Sequence, residues 1–110
     1  MQHIGIEYQG ETGNVIERLP TNFADVMNAF PFDGPNAWEA FKEKYPWTAS
    51  IDPYGNTVFN LLQWPYLVSE FTGLREETED DNVKSILEGL ILFLRKIESA
   101  NHTYLKFIGD

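Results

Sequence analysis

The chain has 110 residues, with 8 Lys and Arg against 17 Asp and Glu, a formal charge of -9, 43% apolar and 15% aromatic residues, and no cysteine. That length fits one domain whose core stands without disulfides or a structural metal, and the lack of cysteine excludes thiolate ligands and cysteine nucleophiles. The charge disfavours nucleic acid and anionic membrane surfaces, and leaves a basic protein as the partner it would steer in.

The aromatic content argues against disorder. Met1-Gln2-His3-Ile4-Gly5 has neither the basic nor the apolar region of a signal peptide. The apolar run Leu90 to Leu94 is too short to cross a bilayer. These readings predict a soluble, cytoplasmic protein.

Ile4, Ile6 and Tyr8 alternate with His3, Gly5 and Glu7, the period of a half-buried strand. Gly10 to Asn14 supplies turn chemistry, and Val15 to Leu19 returns as a second strand that Pro20 ends. Thr21 or Asn22 is placed to cap a short helix over Phe23 to Phe30, closed by Pro31. After a loop at Asp33-Gly34-Pro35, Asn36 stands as the cap of a helix with Ala37, Trp38, Ala40, Phe41 and Tyr45 on one face; Pro46 stops it.

Asp52-Pro53-Tyr54-Gly55 fits a type I turn followed by a left-handed glycine, which predicts a hairpin between Thr48–Ile51 and Thr57–Phe59. Pro65 then opens a helix with Leu67, Val68, Phe71 and Leu74 inward, and Gly73 marks its end. The acidic stretch Glu76 to Asp81 leads into the clearest amphipathic helix, with Val83, Ile86, Leu87, Leu90, Leu94 and Ile97 on one side. Asp80 or Asp81 caps it, Arg95 and Lys96 suit its far end, and Asn101 ends it before a strand at Thr103 to Ile108. The order β-β-α-α-β-β-α-α-β predicts a single α+β domain over residues 1–110, with about five strands in an antiparallel or mixed sheet covered by helices.

No motif advertises a reaction. Gly10-Glu11-Thr12-Gly13 lacks the Lys and the helix of a phosphate loop, and Glu76 to Asp81 lacks the ligand spacing and central Gly of a calcium loop. His3 and His102 stand at the starts of the first and last strands; paired strands would let them approach each other and recruit Glu7, as a metal site or an acid/base pair. Simple solvation at two strand ends is the plainer reading, so no metal, cofactor or catalytic residue is assigned.

The docking signals are firmer. Tyr54 stands where turn geometry demands nothing aromatic, with Asp52 and Asn56 beside it, and a tyrosine on a rigid turn suits an interface anchor. Trp38, Trp64 and Tyr66 lie near element ends, and Asp33, Glu39 and Glu43 supply acidic surface. Packing of the rings and mere solubility from the charge are the plainer readings.

At Asp52-Pro53-Tyr54-Gly55-Asn56-Thr57-Val58-Phe59-Asn60 and at His102-Thr103-Tyr104-Leu105-Lys106-Phe107-Ile108-Gly109-Asp110 the chain resembles a group of short uncharacterised bacterial proteins. In size, acidity and aromatic content it is also similar to bacterial immunity proteins, the cytoplasmic inhibitors of polymorphic toxins. The second resemblance implies a non-enzymatic, acidic protein-binding domain that covers a basic toxin. Two alternatives stay open: a small hydrolase or metal-dependent enzyme using His3 and His102, and a self-associating scaffold, even a homo-oligomer, pairing its terminal strand.

Overall fold

The computed structural model describes residues 2–30, 35–97 and 102–110. Along the chain come β1 (Gly5–Gln9), β2 (Val15–Leu19), α1 (Ala24–Ala29), α2 (Ala37–Lys44), α3 (Pro46–Ala49), β3 (Asn56–Asn60), α4 (Trp64–Glu77), α5 (Asp81–Lys96) and β4 (Tyr104–Ile108). The fold is α+β, and the strands form one antiparallel sheet in the order β2-β1-β4-β3. No helix among the described residues is long and apolar enough to cross a membrane.

Strand alternation decides what is buried. Ile6 and Tyr8 of β1, Leu105 and Phe107 of β4 and Phe59 of β3 point into the core. Tyr8 meets Trp64 of α4 and Phe93 of α5 edge-on, at centroid distances of 6.4 and 5.4 Å. Phe107 packs on Phe23 at 5.1 Å and on Phe59 at 5.7 Å. On the other side of the sheet, register aligns Arg18, Glu7, Lys106 and Val58 across four strands. The β1–β2 connection turns at Gly13, whose φ of 81° suits a residue without a Cβ.

The long helices obey their sequence pattern. In α5, Val83, Leu87, Leu90, Ile91 and Leu94 are buried, and Asp80 caps it by accepting from the amides of Asn82 and Val83 at 2.9 and 3.2 Å. The cap predicted at Asn36 takes the right position without its side chain bonding the helix. Asn22 works more widely than a cap: its Oδ1 accepts from Ala24 and also from Ile4, 2.9 Å away, tying α1 to the chain entering β1. Pro31 and Asn101, expected to close α1 and α5, lie outside the described residues.

Two expectations are overturned. Thr48–Ile51 is not a strand and the hairpin does not form; Pro46 starts α3 instead, and β3 pairs with β4. The cause is Glu70, a buried carboxylate of α4. It accepts from the Trp47 amide at 3.0 Å and from the Thr48 amide and hydroxyl at 2.7 and 2.8 Å, satisfying the exposed N–H groups of a helix too short to persist alone. Four strands result among the described residues rather than about five.

Gly73 does not end α4, which continues to Glu77. The glycine makes room for a ring, since a Cβ there would stand 3.2 Å from Cε1 of Tyr45.

Candidate functional site

The turn predicted at Asp52 joins α3 to β3. Asp52 accepts from the Tyr54 amide at 2.9 Å, and its own amide donates to the Thr57 hydroxyl at 2.9 Å. Gly55 is not left-handed: among the described residues Gly13 is the glycine with positive φ. What Gly55 provides is space, because a Cβ would lie 2.6 Å from Oδ2 of Asp52. The chain end seals the turn. The Gly109 amide donates to the Gly55 carbonyl at 2.6 Å, and the Asp110 amide to the Pro53 carbonyl at 3.1 Å. The two segments quoted for the resemblance to short bacterial proteins are therefore one structural unit. Held this way, Tyr54 projects with 78% of its surface exposed, and Asn56 is exposed beside it.

Facing the turn is α2, none of whose residues is fully buried. Its rings form a ladder: Trp38 stacks on Phe41 at 5.9 Å with planes 12° apart, and Phe41 meets Tyr45 at 5.3 Å and Phe30 at 6.0 Å. The Lys42 ammonium lies 5.7 Å from the Trp38 ring and pairs with Glu39 at 2.9 Å. Trp38 stays 37% exposed. Between helix and turn runs a groove of ≈340 Å³ lined by Met27, Asn28, Trp38, Ser50, Asp52 and Pro53, among others. Trp38 and Asp52, separate in the sequence, thus share one surface feature, with Tyr54 the next residue along.

Carboxylates crowd the far end of α2. Glu77 accepts from the Lys44 ammonium and, at 2.6 Å, from the Tyr45 hydroxyl. The Lys44 partner, then the Tyr45 hydrogen bond, hold the Glu77 carboxyl below its ordinary value. Burial, then the bond to Glu77, pushes the Tyr45 hydroxyl up, so this ring stays neutral. Glu39 and Glu43 are exposed on α2, and Glu76, Glu79, Asp80 and Asp81 at the α4–α5 turn.

Other predicted residues fall elsewhere. Trp64 is 1% exposed and cannot anchor a partner; its indole N–H donates to the Phe59 carbonyl at 3.3 Å. Its position one residue before a helix proline suggested an edge, but the turn after β3 folds it under the sheet. Tyr66, 56% exposed, stacks on Trp47 at 5.3 Å and so belongs to the outer side of α3 and α4. Asp33 lies outside the described residues. Sequence reasoning missed Met27, Asn28 and Ser50 in the groove, since nothing local marks them. Leu62, 80% exposed just before α4, was missed as well, although a leucine in a polar turn was visible.

The histidines do not meet. In the antiparallel β1–β4 pair Gly5 faces Ile108 and Gln9 faces Tyr104, so His3 and His102 lie beyond opposite ends of a five-pair ladder, which alone spans roughly 13 Å. Among the described residues no group of three or more His, Asp or Glu side chains is placed to hold a metal. β4 is an interior strand paired on both sides, so it offers no edge for the self-association expected of it.

A larger groove of ≈500 Å³ follows β1 and β2 past His3, Glu7, Arg18 and Asn22. Three of its polar groups are already committed: Arg18 binds Glu7 at 2.9 Å and holds that carboxyl below its ordinary value, and Asn22 serves the backbone. Neither family models, nor curated proteins, nor solved structures give a match to this chain.

Proposed function

We propose that this chain is a non-catalytic, acidic domain that binds a basic protein through the α2 rings and the Asp52–Asn56 turn, and that it works as an immunity-type inhibitor of a basic toxin. The observation that carries the reading is the groove shared by Trp38 and Asp52, beside a tyrosine that is 78% exposed on a turn braced from three sides. Rigid aromatic rings lose little entropy on docking, which favours them as anchors. Lys42 over Trp38 supports a mode of recognition in which an arginine or lysine of the partner takes its place on the indole and frees Glu39 for a second contact.

The exposed carboxylates of α2 and the α4–α5 turn add long-range attraction, which raises the association rate and falls with salt. The buried rings govern the dissociation rate. Surface plasmon resonance with the captured partner separates the two. Trp38→Ala with Tyr54→Ala speeds dissociation, and Glu39→Gln with Glu43→Gln slows association. An affinity unchanged by a roughly tenfold rise in ionic strength refutes the electrostatic part of the reading.

A further inference from the structure

We propose that the cleft between the start of α4 and the end of α5 binds a small apolar carboxylate, its chain against Leu61, Pro65 and Val68 and its charged head on Arg95. This site is separate from the α2 face and does not depend on the function proposed above.

The cleft holds ≈230 Å³ and is lined by Leu61, Trp64, Pro65, Val68, Leu94 and Arg95. Five of these are apolar, and the sixth is the one ionisable group among the described lining residues. The indole N–H of Trp64 is already spent on the Phe59 carbonyl, so the described lining residues offer no second side-chain donor. The four ion pairs among the described residues take Arg18, Lys42, Lys44 and Arg75. Arg95 belongs to none of them, like Lys84, Lys96 and Lys106, and of these four it is the one that lines the cleft. Its place in the last turn of α5 accounts for a positive charge, but not for an apolar cleft beside it.

The ligand class follows from this chemistry. A cation is repelled by the guanidinium, and a phosphate dianion needs more donors than one side chain supplies in apolar surroundings. A carboxylate matches the planar fork of arginine with two parallel hydrogen bonds. The volume corresponds to about eight groups the size of water, at roughly 30 Å³ each, which suits an unbranched chain of six to eight carbons. Burial of about six methylenes gives a dissociation constant on the order of 0.1–1 mM.

Amide NMR shifts during titration with sodium octanoate test the assignment, with octan-1-ol as the uncharged counterpart. The wild type shows saturable shifts centred on Leu61, Trp64, Val68 and Arg95. Arg95→Gln, an exposed and structurally harmless change, weakens octanoate binding roughly five- to tenfold and leaves octanol binding unchanged. Val68→Phe fills the cleft and removes both; Leu61→Phe at the rim does the same if the first variant is poorly folded. The proposal is overturned by shifts that do not saturate by roughly 10 mM, by octanoate affinity equal in Arg95→Gln and wild type, or by shifts centred on Tyr54 or Tyr66 instead.

Discussion

Glu70→Ala removes the carboxylate that holds α3 in place, and its cost follows from the geometry. Three donors point at the two carboxylate oxygens: the Trp47 amide at 3.0 Å, the Thr48 amide at 2.7 Å and the Thr48 hydroxyl at 2.8 Å. Glu70 is 8% exposed and Thr48 fully buried, so water cannot replace the lost acceptor at Thr48; Trp47 is half-buried and recovers part of its loss. At about 1.5 kcal/mol for each charge-assisted bond left unsatisfied, the low end for such bonds, the two at Thr48 and a discounted share at Trp47 give an expected loss of about 3–4 kcal/mol. That is a large part of the ~5–15 kcal/mol that stabilises a domain of this kind. It corresponds to a drop in Tm of roughly 12–16 °C. Glu70→Gln keeps one acceptor oxygen and turns a donor toward the other N–H groups, so it costs about half as much. Urea unfolding followed by far-UV circular dichroism reads both, and near-UV circular dichroism reports whether the Trp47–Tyr66 stack survives. A loss below about 1 kcal/mol for the alanine variant, or equal losses for alanine and glutamine, refutes the assignment of α3 to this carboxylate.

Further outcomes are expected. The folded Glu77 carboxyl titrates below its ordinary value of 4.5, so its contribution is present above that pH and is lost as acid protonates it; Lys44→Met flattens this acid limb in pH-dependent urea unfolding. The Tyr45 hydroxyl is raised above 10.0, so the folded state loses stability as pH climbs past that value, and Tyr45→Phe removes the alkaline loss. Gly109→Ala places a Cβ 2.6 Å from the Gly55 carbonyl oxygen and 2.7 Å from that of Asp52, and costs about 1–3 kcal/mol by denaturant midpoint. Gly89→Ala in α5 meets nothing within 4 Å and stabilises by about 1 kcal/mol. Trp64→Ala costs about 3–5 kcal/mol, whereas Trp38→Ala stays near 1 kcal/mol or below; similar losses contradict the contrast between core and surface indoles.

The parts of the fold that were legible in the sequence are those set by local periodicity. The alternation of Ile4, Ile6 and Tyr8, the stripe from Val83 to Ile97 and the cap at Asp80 all report which face is buried without reference to the rest of the chain. The parts that were not depend on contacts distant in sequence. Thr48 to Ile51 reads as a strand because a carboxylate 22 residues away from Thr48 cannot be seen from it. Gly73 reads as a helix end because the Tyr45 ring that occupies its missing side chain comes from the junction of α2 and α3. The site divides along the same line. Tyr54 was legible because turn geometry explains each neighbour and leaves the ring unexplained. Trp64 was misplaced because nothing nearby distinguishes a sealed indole from an exposed one, and the pairing of Trp38 with Asp52 arises only when α2 packs beside the turn.

The docking claim is tested most directly by affinity capture from lysate of the source cells with quantitative mass spectrometry, comparing three baits. They are the wild type, the Trp38→Ala/Tyr54→Ala double variant, and Leu92→Ala, which alters an exposed side chain of α5 away from the groove. A basic protein enriched on the wild type and on Leu92→Ala, released by moderate salt and lost from the double variant, is the predicted result. Equal recovery of that protein on the double variant would contradict the account.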